Sequence, residues 1–131
     1  MTYKNLKKFI VNNSNDTKNF DLAVNLAKSK IIFVVGNTAS NTADFLSSIM
    51  NECKIPYSRY INYDKLELKN RFLKLGAPIS IDEICTSADR IIKRYNKSIS
   101  NKALMLLMAL DMLVGEEYTI IELSVEETSK R

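Results

Sequence analysis

The sequence predicts an α/β fold: a small three-layer domain with a mostly parallel sheet of about three core strands and helices on both faces. Three observations predict it. Ile31-Ile32-Phe33-Val34-Val35 is apolar at every position, the pattern of a strand covered on both faces and therefore central and parallel. A glycine turn and an amphipathic helical pattern follow it directly. Two further strand-like segments, 57–62 and 118–123, are separated from it by helical patterns, which implies parallel pairing through right-handed crossovers. At 131 residues the chain is long enough for one domain with a real core, spanning 1–131.

The elements follow in order. Residues 2–11 carry Tyr3, Leu6, Phe9 and Ile10 on one side of a short helix. Asn12 to Lys18 is a run of turn formers. A second helix is expected over 19–29, with Phe20, Ala23, Leu26 and Ala27 inward, and then the strand 31–35. A helix over 43–54 would bury Phe45, Leu46, Ile49, Met50 and Cys53. The strand 57–62 comes next; Arg71 to Leu75 followed by Gly76-Ala77-Pro78 suggests an extended segment and a turn. Ser80-Ile81-Asp82-Glu83 is a capping box opening a helix to about Tyr95, with Ile84, Ala88, Ile91 and Ile92 inward. Helix 101–114 is apolar nearly all round, so it should be sandwiched, with Gly115 as its C-cap. The strand 118–123 closes the pattern, and the charged tail from Glu126 reads as frayed.

Chemistry concentrates at the turn after the first strand. Strand, glycine turn and helix is where nucleotide-binding folds hold phosphate. A working loop reads G-x-x-x-x-G-K-[ST], its lysine supplying charge and its hydroxyl a magnesium ligand. Here Gly36-Asn37-Thr38-Ala39-Ser40-Asn41-Thr42 keeps the first glycine and the last threonine and lacks the second glycine and the lysine. The simplest alternative is an ordinary strand-to-helix turn with Thr42 or Ser40 as N-cap.

Composition excludes several function classes. With no histidine there is no histidine general base, no Ser-His or Cys-His nucleophile and no histidine metal site. Cys53 and Cys85 lie far apart on apolar helix faces, so two buried reduced thiols are expected. A net charge of +4, spread along the chain apart from Lys4, Lys7 and Lys8, is too mild for a nucleic-acid patch. The N-terminus lacks an apolar signal region, and the longest apolar stretch, Ala103 to Val114, is too short to span a bilayer. A cytoplasmic protein without membrane association is the expectation.

The ordered landmarks resemble a family. Phe9-Ile10 with Leu22-Ala23-Val24-Asn25-Leu26-Ala27, then Ile32-Phe33-Val34-Val35-Gly36, Gly76-Ala77-Pro78-Ile79-Ser80 before Asp82-Glu83, and Ile120-Ile121-Glu122-Leu123 together are similar to the N-terminal part of folylpolyglutamate synthase, of the Mur ligase group. The resemblance implies a partial P-loop domain of Mur-ligase type, truncated before the rest of the ATP-binding domain and the C-terminal ligase domain. It also implies ATP and Mg as ligands, held by Gly36, Asn37, Thr38, Ser40, Asn41 and Thr42, with the metal at Thr42 and Glu122 and a remnant substrate or phosphate contact at Arg71. Departures accompany it. The family lysine falls on Ser40 and its next glycine on Asn41, while its T-S-P-H segment falls on Ile61-Asn62-Tyr63-Asp64 with no residue kept. Glu122 also admits the plainer role of a solvated strand-end carboxylate, and Arg71 that of a surface arginine.

Two functions follow. The first is a degenerate ATP-binding domain without ligase activity, weak or absent in nucleotide and metal binding, since phosphoryl transfer depends on lysine and metal electrostatics. The second is a non-catalytic interaction or homo-oligomerisation module on the same scaffold, with a second copy or another protein covering an open sheet edge.

Overall fold

In a computed structural model, residues 1–12, 30–36, 39–63, 65–95 and 98–123 are described. The helix expected over 19–29 and the tail from Glu126 lie outside these residues. The first helix, α1 (Tyr3–Asn12), presents Leu6 to the core, and β1 (Lys30–Val35) is followed by α2 (Ala39–Glu52). Then come β2 (Tyr57–Tyr60), a 3₁₀ turn (Leu68–Asn70), β3 (Phe72–Lys74) and β4 (Ala77–Pro78). The helices α3 (Ile81–Arg94) and α4 (Asn101–Leu113) lead into β5 (Tyr118–Leu123).

The five strands form one sheet in the order β1-β5-β2-β3-β4. β1 runs parallel to β5, as expected of the core strands, with Ile31 opposite Thr119 and Val35 opposite Leu123. On its other side β5 runs parallel to β2, pairing Arg59 with Ile120. These three are the parallel core. The hairpin β3–β4 adds antiparallel strands. Its two turn residues, Leu75 and Gly76, have φ of 52° and 87°. Positive φ at both positions gives the turn the twist that tight hairpins need.

Alternation along the strands sorts the core into two layers. Ile121 and Leu123 face α3 and α4, while Ile32, Val34 and Ile120 face α2 through Ala39, Ala43 and Met50. α4 is buried nearly all round, as its composition predicts, between α3 and the strands β2 and β3. Ser80 caps α3, its side chain accepting from the Glu83 amide at 3.2 Å, and Ser100 caps α4 in the same way.

Four expectations are corrected. β1 is not central: among the described residues it pairs only with β5, at the end of the sheet. Since α4 packs over β2 and β3 instead, Phe33 and Val35 on its side remain 42% and 48% exposed. α2 begins at Ala39, four residues before Ala43, and its sheet-facing stripe is Ala39, Ala43, Ser47 and Met50. Phe45 and Ile49 therefore face outward and Cys53 is exposed; only Cys85 is a buried thiol. α4 ends through Val114 in extended backbone rather than through a left-handed Gly115.

Candidate functional site

The carboxyl ends of β1, β5 and β2 lie side by side, the end of an α/β sheet where ligands bind. Gly36 ends β1 with φ of 131°, a backbone region that disfavours any side chain. Its amide extends the ladder to the Leu123 carbonyl at 3.2 Å, and its own carbonyl accepts from the Ala39 amide. Because α2 starts at Ala39, Ser40, Asn41 and Thr42 belong to its first turn. The connection is much shorter than the 36–42 loop read from sequence. Asn37 and Thr38 lie outside the described residues.

The first turn of α2 meets a buried ionic cluster. Glu122, near the end of β5, is fully buried, which overturns the solvated reading. Its Oε1 accepts from Ser40 Oγ at 2.7 Å and from the Asn62 amide at 3.3 Å. Its Oε2 accepts from Nε and Nη2 of Arg59, each at 2.7 Å. Arg59 completes its contacts with Nη1 on Asp44 Oδ1 at 2.8 Å and Nη2 on the Ser40 carbonyl at 3.4 Å. Parallel register explains the meeting: Arg59 stands opposite Ile120, so it shares the α2 face of the sheet with Glu122 two residues on. Burial disfavours the charged guanidinium, but its hydrogen bonds and the charges of Asp44 and Glu122 outweigh that and raise its affinity for the proton above normal.

The arrangement places the sequence-derived candidates differently from expectation. Ser40, where the resemblance puts a lysine, donates to Glu122. Thr42, two residues further, lies roughly 160° round the helix from Ser40 and is exposed, as is Asn41. Glu122 thus meets Ser40 and not Thr42. The Arg71 Nε donates to the Leu66 carbonyl at 3.0 Å, bracing the segment after β2 rather than reaching the cluster. Arg59 and Asp44 were not singled out from sequence. The sequence holds an arginine and a glutamate in two segments that read as strands, but only the register of those strands shows that they meet.

A divalent cation does not fit these residues. Magnesium needs ionised, accessible oxygen ligands with room for water. Both Glu122 oxygens already accept from protein donors, and the guanidinium stands where a metal charge would. Among the described residues no group of three or more Asp, Glu, Cys or His side chains could hold a metal.

Neither a family model nor any curated protein matches the sequence. Solved structures do match the fold. A bifunctional folylpolyglutamate synthase/dihydrofolate synthase from Yersinia pestis CO92 superposes with a TM-score of 0.71 at 17% identity, covering 93% of this chain. The fold resembles the N-terminal domain of a folylpolyglutamate synthase of Mur-ligase type. The Helicobacter pylori folylpolyglutamate synthetase gives a TM-score of 0.66 at 16% identity over 89% of this chain. The Yersinia pestis enzyme complexed with AMPPNP and a Mn ion gives 0.63 at 22% identity over 73%. This chain spans only 34%, 34% and 24% of those three proteins. At such identities the likeness establishes the fold, with the mostly parallel core read from sequence. No helix among the described residues is long and apolar enough to cross a membrane.

Proposed function

We propose that this chain is a non-catalytic domain on a folylpolyglutamate-synthase-type scaffold, working by protein association rather than by ATP-dependent ligation. One observation carries the reading: the only strand-end glutamate the resemblance assigns to metal is buried and neutralised by Arg59. Admitting a metal at Glu122 would require breaking both of its bonds to Arg59, whose guanidinium would keep only Asp44 and the Ser40 carbonyl. The cluster also holds one cation and two carboxylates, Arg59 against Asp44 and Glu122. That excess negative charge opposes a polyphosphate.

A second reading, weak nucleotide or anion binding, is favoured by the glycine at the end of β1 beside the N-terminal end of α2, whose dipole attracts anions. The neighbour complexed with AMPPNP and a Mn ion supports it by analogy of fold.

Calorimetric titration with millimolar Mg-ATP separates the two. The wild type is expected to give no saturable heat, and Ser40→Lys no rescue, because the new ammonium meets a glutamate already paired with Arg59. Saturable binding in the wild type that weakens in Thr42→Ala would overturn the first reading and establish the second.

A further inference from the structure

We propose that Arg59 is a built-in cation for this domain: tethered to β2, its guanidinium occupies a cation site formed by Glu122, Asp44 and the Ser40 carbonyl, and keeps divalent metal out of it. The proposal rests on the non-catalytic reading and deepens it by naming what fills the site.

The oxygens around the guanidinium are those of a hard-cation site. Three of them, from two elements, converge on it: Glu122 Oε2 of β5 at 2.7 Å, Asp44 Oδ1 of α2 at 2.8 Å and the Ser40 carbonyl of α2 at 3.4 Å. Carboxylates and a carbonyl, completed by water, are the ligands that magnesium, calcium and manganese take. Water reaches the site from one side, since the Asp44 side chain is 67% exposed while Glu122 is fully buried. The charges demand a cation there. Both carboxylates reach the same group, and among the described residues Arg59 is the cation with which each forms an ion pair. Without it the two would repel each other, and the buried one would lie uncompensated.

The rest of Glu122 holds Oε2 toward that cation. Oε1 accepts from Ser40 Oγ and from the Asn62 amide, which fixes the carboxylate from its other side. Oε2 accepts from Nε and Nη2 of Arg59, so removing the guanidinium strips both donors from this oxygen while the bonds to Oε1 keep its orientation. A tethered guanidinium also needs no supply from solution. The junction of β5, β2 and α2 therefore stays shut in the absence of metal, and an entering metal would have to displace a charge covalently attached to the sheet.

Mn²⁺ alone, followed by electron paramagnetic resonance and by thermal unfolding of the full chain, tests the proposal. The wild type should leave the Mn²⁺ signal free, and its melting temperature should hold within about 1 °C in about 1 mM Mn²⁺ or in chelator. Arg59→Ala should melt lower, bind about one Mn²⁺ per chain and regain about 5 °C or more when it is added. Adding Glu122→Gln to Arg59→Ala should weaken that binding about tenfold or more, by removing a charged ligand. Arg59→Met, whose stem fills the space, should likewise bind about tenfold more weakly than Arg59→Ala. Circular dichroism checks folding; should Arg59→Ala fail it, Arg59→Gln, whose amide oxygen is itself a ligand, decides in its place. Uptake of Mn²⁺ by the wild type that Glu122→Gln abolishes overturns the proposal. So does a folded Arg59→Ala that ignores Mn²⁺, since Glu122 would then have taken a proton in place of a metal, or one whose binding is indifferent to Glu122→Gln. Saturable Mg-ATP heat in a wild type that still excludes Mn²⁺ would sink the non-catalytic reading and leave Arg59 as the cation of this site.

Discussion

Removing the Arg59 guanidinium measures how far the site depends on an internal cation. Arg59→Met keeps an aliphatic stem of similar length and leaves Glu122, which has no exposure to solvent, facing only Ser40 Oγ and the Asn62 amide. Breaking a buried pair from one side costs about 3–5 kcal/mol. A domain of this size holds about 5–15 kcal/mol in total, so the melting temperature should fall by roughly 10–20 °C. Asp44 loses the same partner cheaply, since its side chain is 67% exposed and water replaces the guanidinium. Pairing Arg59→Met with Glu122→Leu should recover most of the loss, because a buried pair replaced by apolar groups is often neutral. Urea denaturation of the wild type, both single variants and the double variant closes the cycle. A loss below about 0.5 kcal/mol in Arg59→Met, or no recovery in the double variant, would refute the buried pair as what closes the site.

Three further outcomes follow from the same structure. Tyr3 and Lys7 of α1 both donate to Glu67 at 2.8 Å, which ties the helix to the 3₁₀ turn. Partial burial and the Glu67 hydrogen bond push the Tyr3 phenol from 10.0 to about 12, so its contribution to stability is complete below pH 10 and lost as pH rises through about 12. The Lys7 and Tyr3 hydrogen bonds hold Glu67 below the ordinary carboxylate range, so its contribution is present above that range and lost as pH falls beneath it. Absorbance titration at alkaline pH should show Tyr3 ionising late, and Glu67→Gln should bring it part of the way back, since burial is the larger cause of the shift. At the hairpin, Leu75 has φ of 52° and is half exposed, so Leu75→Asn should stabilise by about 0.5–1 kcal/mol in thermal unfolding. A thiol reagent should modify Cys53 quickly and Cys85 only on unfolding, since Cys85 is buried and burial raises its pKa; mass spectrometry of labelled peptides distinguishes the two.

What was legible in the sequence was set by local pattern. The capping box at Ser80, the buried helix α4 and the parallel sense of the core strands follow from periodicity and from crossover rules, whereas the pairing of 31–35 with 118–123 comes from the family resemblance. The faces of α2 did not. Phe45 and Ile49 have the spacing of a core stripe, yet the sheet is met by the smaller Ala39, Ala43 and Ser47. Helix and strand approach closely beside the ionic cluster, where the first turn of α2 must reach Glu122, and small residues permit that. Periodicity cannot say which of two stripes on one helix meets the sheet and which faces away from it. Arg59 escaped for a related reason: its partner is 63 residues away, and only the register of β2 on β5 brings them to one face.

The ionic cluster and β1 bear on one another through the sheet. Arg59, Glu122, Ser40 and Asp44 bind β2, β5 and α2 into one unit. No member of that network lies on β1, which depends on its ladder to β5 and on Ile32 and Val34 beneath α2. β1 is thus the core strand with the least side-chain anchorage among those described, and it carries the most exposed apolar surface. Arg59→Met should therefore loosen the β2–β5–α2 unit first, while the β1–β5 ladder persists. Hydrogen exchange of the amides of β1 and β2 checks this: protection should fall in β2 and hold in β1. Equal loss in both strands would show that the ladder and the cluster fail together and are not separate parts of the fold.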